Sequence, residues 1–262
     1  MTNQRASEVL DSLVEAIRGV IRERSVNYDE FHAAVNYLLR LADSGEIPLL
    51  LAVLFEATVD EVTHRDSDGS TTTIEGPFYK PGAPALEPPY QLPRRPDEPG
   101  DLLVLSGTVR DTEGRPLADA ELDMWQAGGE LPGKYSNVHP DIPEWNLRGR
   151  FHTDAQGAFE VETVVPAPYE IRKGGPTEDL LSVVGKHTWR PSHLHFKVGH
   201  PGFRTLTTQL FFMGGEYLDS DAGNAVKDDL IIPLNKTHGS ERPGESAVGL
   251  SCSYDFVLEP HR

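Results

Sequence analysis

In Arg190-Pro191-Ser192-His193-Leu194-His195-Phe196, side chains alternate in character from His193 onward. That is the period of a β-strand, whose successive residues point to opposite faces. Leu194 and Phe196 then face a core, and His193 and His195 share the other face. Two imidazoles on one face can offer two nitrogens to one metal ion, or they can be core histidines hydrogen-bonded to backbone. The spacing alone leaves both readings open.

Working outward from this strand, the chain after Gly100 continues as short alternating segments separated by turns. Leu102 to Val109 alternates, Asp111-Thr112-Glu113-Gly114 turns, Ala120 to Trp125 alternates again, Asp154-Ala155-Gln156-Gly157 turns, and Phe159 to Val165 follows with β-branched residues. His193 to Val198, Thr205 to Phe212 and Tyr254 to Leu258 supply further strands. Short strands joined by Gly-containing turns predict a β-sandwich or barrel.

The first quarter reads differently. Val9, Leu10, Leu13, Val14, Ile17, Val20 and Ile21 recur at helical spacing opposite Glu8, Asp11, Glu15 and Arg18. A second helix is expected from about Tyr28 to Asp43, capped by Asn27 and stopped by Gly45. A third begins near Pro48 with the apolar set Leu49, Leu50, Leu51, Val53, Leu54 and Phe55. From about Ser67, Gly76-Pro77, Pro81-Gly82, Pro84, Pro88-Pro89 and Pro93 keep the chain extended. The expected architecture is mainly β with a helical N-terminal region: a helical linker and dimerisation domain over 1–66 and a β-sandwich catalytic domain over 67–262.

Composition narrows the chemistry. A formal charge of −17 over 262 residues lacks the clustered Lys and Arg that a phosphate backbone requires, so nucleic acid is an unexpected partner. No apolar run reaches the roughly 20 residues of a membrane-spanning helix, the N-terminus does not read as a signal sequence, and the chain reads as cytoplasmic. The single cysteine, Cys252, cannot build a thiolate site, so a metal must take nitrogen and oxygen ligands. No Asp or Glu stands at a matching spacing beside His193 and His195 to complete a two-His, one-carboxylate site. Phenolates are the remaining anionic oxygen ligands. Tyr135, in Pro132-Gly133-Lys134-Tyr135-Ser136, and Tyr169, in Pro166-Ala167-Pro168-Tyr169-Glu170, both sit in turn-like sequence that could aim a ring inward or simply pack it. Two tyrosinates and two imidazoles would suit a ferric ion.

The order Tyr135, Tyr169, Arg190-Pro-x-His193-x-His195, with Ile74-Glu75-Gly76-Pro77-Phe78-Tyr79 upstream and Thr207-Thr208-Gln209 downstream, resembles the intradiol ring-cleaving dioxygenases of the catechol 1,2-dioxygenase group. Trp145-Asn146-Leu147-Arg148-Gly149, Gly175-Pro176-Thr177 and Tyr217-Leu218-Asp219-Ser220-Asp221 extend the resemblance over nearly the whole chain. It implies one non-heme Fe3+ held by Tyr135, Tyr169, His193 and His195, and catechol cleaved with O2 between its hydroxylated carbons to a cis,cis-muconate. Tyr169 matches the ligand that substrate displaces. Arg190 resembles the arginine that stabilises charge on the substrate, and Gln209 its polar neighbour. The resemblance also implies a homodimer through the N-terminal helices with lipid enclosed at its axis, although the stripes alone are those of any helix pair.

The family's pocket positions fall at Leu49, Ala52, Ile74, Gly76, Pro77, Phe78, Tyr79, Ala222 and Gly223. Chlorocatechol and hydroxyquinol enzymes often carry Asp where Ala52 stands, and chlorocatechol enzymes often carry Cys near Gly223. Small residues at Ala52 and Gly223 are expected to leave room beside the ring, for catechol and its small methyl or chloro derivatives. The phrase Leu147-Arg148-Gly149-Arg150-Phe151-His152 leans toward hydroxyquinol as the alternative substrate. The chain departs from the family at Trp125-Gln126, where Trp-His is common, and in a longer step from Trp125 to Tyr135. Two readings compete with the ferric enzyme: a β-sandwich binding module whose histidines and tyrosines only pack, and a zinc hydrolase on the same ligands.

Overall fold

The computed structural model describes residues 3–238 and 248–261, and its chain packs as two compact units, 1–47 and 48–262. In the first unit, α1 (Asn3–Arg24) and α2 (Tyr28–Asp43) follow the two apolar stripes. Asn27 caps α2: its side chain accepts from the Glu30 amide while the Glu30 carboxylate accepts from the Asn27 amide. Such a reciprocal cap is worth about 1 kcal/mol and fixes where the helix starts.

Division by packing falls earlier than the change in composition near residue 66, because Val53, with Leu49 beside it, joins an apolar cluster of the second unit. The segment from Pro48 is helical as expected, but not uniformly so. Between α3 (Ile47–Leu51) and α4 (Ala57–His64), residues Ala52–Glu56 widen into one π-helical turn. Such turns insert where a side chain must be re-aimed, frequently beside functional sites.

Two sheets build the second unit. One orders β1 (Tyr90–Gln91), β5 (Ala158–Val164), β2 (Leu102–Asp111), β12 (Val248–Ser253) and β11 (Asn235–His238), with β13 (Phe256–Leu258) also paired to β2. The other orders β10 (Ile231–Ile232), β9 (Leu206–Phe212), β8 (His193–Gly199), β3 (Glu121–Gln126) and β4 (Arg148–His152). A separate two-stranded ribbon pairs β6 (Tyr169–Glu170) with β7 (Trp189–Arg190), and the short α5 (Pro176–Val183) lies between them in sequence. One apolar cluster draws on both sheets, with Leu103, Leu105 and Val161 from the first and Leu122, Leu194, Phe196 and Leu210 from the second.

Strand β8 shows how the pattern places the site. Leu194, Phe196 and Val198 enter the shared core, while His193 and His195 are equally buried on the opposite face. β8 is flanked on both sides, with His195 opposite Trp125 of β3 and Gln209 of β9. Each expected strand forms, within a few residues at its ends; β1, β4, β6, β7, β10, β11, β12 and α5 are additions. Tyr254 is not part of the last strand, which starts at Phe256.

Candidate metal centre

His193 and His195 turn their Nε2 atoms toward each other at 3.0 Å. His193 Nδ1 lies 2.7 Å from the Pro191 carbonyl oxygen, so it carries the proton and donates, leaving the lone pair on Nε2, which lies 3.4 Å from Arg190 Nη1. His195 stacks flat on Trp125, with ring centres 4.6 Å apart and planes at 9°. Burial, and then the Arg190 charge, push His193 down to about 3; burial, His193 and Arg190 hold His195 well below the usual imidazole range. Both rings are therefore neutral bases at ordinary pH.

Tyr135 arrives on the long loop between β3 and β4, and Tyr169 on β6. The two approaches are stitched together: the Gly133 amide donates to the Pro168 carbonyl at 2.8 Å, and the Ala167 amide to the Gly128 carbonyl at 3.0 Å. Gly133 permits this approach, since a Cβ there would stand 2.7 Å from the Ala167 carbonyl oxygen. The two phenol rings meet edge to face at 5.2 Å, Tyr169 lies 5.6 Å from the His193 ring, and Tyr135 lies 6.3 Å from that of His195.

Register places Arg190 directly opposite Tyr169. Its Nη1 donates to Tyr169 Oη at 3.4 Å and its Nη2 to Gln209 Oε1 at 2.9 Å; Gln209 Nε2 donates in turn to the Ile74 carbonyl at 2.7 Å. Asp221 takes the other side of the guanidinium, accepting from Nε at 2.9 Å and Nη2 at 3.0 Å, and also from the amides of Gly223 and Ala225. Burial alone would lower the Arg190 pKa, but Asp221 and Tyr169 outweigh it and raise it; Asp221 is held below the usual carboxylate range because Arg190 outweighs its burial.

The donor set fits a hard trivalent cation. Tyr135 Oη is buried with no hydrogen-bond partner, a deficit of roughly 1–3 kcal/mol in a purely packing role. Burial holds both phenols above their ordinary pKa, so they ionise only beside added positive charge. Among the described residues no group of three or more His, Cys, Asp or Glu could hold a metal, so a site here must use the phenols.

All six residues nominated for metal binding and catalysis, Tyr135, Tyr169, Arg190, His193, His195 and Gln209, come together. Leu49, Phe78 and Tyr79 pack on the apolar cluster containing Trp125, Tyr135 and Tyr169. Phe78 stacks on Tyr135 at 4.5 Å and meets Tyr169 at 5.7 Å. Gly76 lies against the His195 ring edge, Ile74 supplies its carbonyl to Gln209, and Ala222 is buried with its amide on the Trp189 carbonyl. Ala52 opens the π-helical turn, and Pro77 is an exposed turn residue.

Gly223 needs a correction. The space expected beside it is filled by Arg190, whose Nε would stand 2.8 Å from a Cβ at that position. Gln126, where Trp-His is common, bridges the two sheets: its Nε2 donates to the Val164 carbonyl at 2.8 Å and its Oε1 accepts from Thr163 at 2.8 Å. Sequence reading missed the role of Asp221, which figured only within a longer motif; the signal available was that a buried arginine requires a carboxylate.

A family profile described as "Dioxygenase" matches residues 74–260, and one described as "Catechol dioxygenase N terminus" matches residues 3–71. The chain belongs to the intradiol ring-cleavage dioxygenases. It is accordingly an oxidoreductase of the catechol 1,2-dioxygenase type. A chlorocatechol 1,2-dioxygenase of Rhodococcus opacus is 41% identical over 239 residues, covering 90% of this dioxygenase and 92% of the relative. The crystal structure of 3-chlorocatechol 1,2-dioxygenase from Rhodococcus opacus 1CP superposes with a TM-score of 0.93 at 41% identity, covering 99% of this chain and 100% of that one. A hydroxyquinol 1,2-dioxygenase from Pseudomonas putida DLL-E4 superposes at 0.90 with 33% identity, covering 100% of this chain and 94% of that one. Membership of this family sets aside the binding module.

Proposed function

We propose that this dioxygenase holds one non-heme ferric ion on Tyr135, Tyr169, His193 and His195 and cleaves catechol and small ring-substituted catechols with O2 between the two hydroxylated carbons. The observation that carries this is the convergence of two buried phenols and two neutral imidazoles, without a carboxylate among them, beside a fixed guanidinium. The ferric ion supplies Lewis acidity toward both catechol oxygens.

The protein groups divide the remaining work. Of the two phenols, Tyr169 is the one that Arg190 can hold, since Nη1 donates to its Oη. Burial raises the pKa of that phenol, so its oxygen, once ionised, would suit taking a proton from an incoming catechol hydroxyl. Arg190, held on its far side by Asp221, faces the ring with positive charge that needs no reorganisation as electron density builds there. The two sheets form the β-sandwich that carries these groups, and Val53, Leu49, Phe78 and Trp125 pack in one cluster with the two phenols, which are buried.

That cluster also bears on the ring. An apolar substituent loses nothing on entering it, whereas the third hydroxyl of hydroxyquinol must find a partner or sacrifice roughly 1–3 kcal/mol. Chlorocatechols are the second substrate reading, favoured by the named activity of the relatives at 41% identity. Six apolar residues of α1 (Val9, Leu10, Leu13, Ile17, Val20 and Ile21) are exposed, and the helix buries none of its residues. We assign this stripe to a homodimer contact. No described helix is long and apolar enough to cross a membrane.

Metal analysis, visible spectroscopy and oxygen uptake across catechol, methylcatechols, chlorocatechols and hydroxyquinol test the proposal together. Iron near one per chain, a tyrosinate-to-iron absorption band and uptake with catechol or its chloro derivatives are expected. A colourless preparation that stays inactive after ferric reconstitution would refute the ferric reading, and stoichiometric zinc would point to the hydrolase.

A further inference from the structure

The buried charges around the two phenols are not balanced alike. Arg190 has Asp221 as its partner, with both side chains almost wholly buried. Arg148, at the start of β4, is 1% exposed and forms no ion pair among the described residues. Its Nε donates to Ser136 Oγ at 2.9 Å and its Nη2 to Asn137 Oδ1 at 2.7 Å, while Nη1 is buried with no partner. The guanidinium carbon stands 5.8 Å from the centre of the Tyr135 ring.

A buried guanidinium without an anion is an unfavourable arrangement, and so is a buried phenol whose oxygen has no partner. Here the two lie side by side. Each supplies what the other lacks as soon as Tyr135 carries a negative charge: the phenolate becomes the missing anion, and the guanidinium the cation on its ring side. The hydrogen bonds to Ser136 and Asn137, the two residues following Tyr135, fix the guanidinium relative to the ring it faces.

We propose that Arg148 is the counter-charge of the Tyr135 phenolate in the iron-loaded enzyme and thereby sets how strongly Tyr135 donates to the metal. Each phenol then has its own guanidinium. Arg190 touches Tyr169 and is neutralised by Asp221, whereas Arg148 has no carboxylate partner among the described residues and acts on Tyr135 through space. Arg148 is a positioning residue, since it acts through Tyr135 rather than on the substrate. This inference rests on the proposed ferric site.

The energy of the tyrosinate-to-iron absorption band reports the effect directly. A cation beside the phenolate lowers the donor level more than the metal level and widens the gap, so its removal shifts the band to longer wavelength. Purified, iron-loaded parent, Arg148→Gln, Arg148→Lys and Ser136→Ala enzymes are compared by visible absorption and by thermal melting. Arg148→Gln is expected to move the band to longer wavelength, and Arg148→Lys to move it the same way by less, because the ammonium keeps the charge but loses the fork. Ser136→Ala, which removes one hydrogen bond and keeps the charge, is expected to leave the band in place.

An unmoved band in either Arg148 variant, or an equal shift in Ser136→Ala, would overturn the proposal and leave Arg148 a structural tie. If Arg148→Gln fails to fold, the lysine variant decides by itself, since a smaller shift in the stated direction is required of it. An iron-replete parent without any such band removes the ferric reading itself; a parent band that the Arg148 variants do not move removes only the part assigned to Arg148.

Discussion

Asp221→Asn isolates the support beneath Arg190. The carboxylate accepts four hydrogen bonds, two from the guanidinium at 2.9 and 3.0 Å and two from the Gly223 and Ala225 amides at 3.0 and 2.9 Å. Asparagine keeps the shape and one acceptor oxygen, but its amide must then face either Nε and the Gly223 amide or Nη2 and the Ala225 amide, donor against donor. It also leaves Arg190 charged and buried. Breaking a buried pair in this way costs roughly 3–5 kcal/mol, and at about 2–4 °C per kcal/mol for a unit of this size the melting temperature should fall by about 6–20 °C.

The same change has a pH signature. Asp221 is held below its ordinary range in the folded protein, so its stabilisation is complete above the free carboxylate value of about 3.9 and is lost as pH falls through the lower folded value. Parent and variant melting curves should therefore converge at acid pH. Calorimetric scans of both proteins across the acid limb check this. A loss below about 1 kcal/mol at neutral pH, within the range of a surface pair, or a gap that is independent of pH, would refute the assignment of Asp221 as the anchor of Arg190.

Three further outcomes follow from the same geometry. Gly223→Ala places a methyl group 2.8 Å from Arg190 Nε; displacing the guanidinium should lower kcat about 100-fold while iron content is kept, and steady-state kinetics with metal analysis would show it. Tyr169→Phe removes the oxygen that Arg190 meets and one charge-transfer donor, so the visible band should change and kcat fall about 100-fold or more, with melting nearly unchanged; an unaltered spectrum would speak against Tyr169 as a ligand. Leu13→Glu with Ile17→Glu, on the exposed stripe of α1, should convert a dimer to monomers in light scattering.

Legibility in the sequence varied with how local the determinant is. The period of two in β8 and the cap at Asn27 are written in adjacent residues, and both features formed where they were expected. β4 was missed because Arg148, Gly149 and Arg150 do not alternate in polarity, yet Arg148 and Gly149 are buried by contacts from distant segments: Ser136 and Asn137 bind the Arg148 side chain, and Leu86 and Leu92 close over Gly149. The π-helical turn at Ala52–Glu56 carries an apolar pattern indistinguishable from an ordinary helix. Room at Gly223 was misjudged because vacancy depends on Arg190, thirty-odd positions upstream.

The two pairs of side chains at the centre are mounted on unequal supports. His193 and His195 belong to a strand hydrogen-bonded on both flanks, whereas Tyr169 sits on a two-residue ribbon and Tyr135 on a loop held by a few backbone bonds. Amides of β8 should accordingly exchange with solvent far more slowly than those of the Tyr135 loop. For diversification, this means that insertions and substitutions between β3 and β4 can reshape what the enzyme accepts while the imidazole pair stays in register.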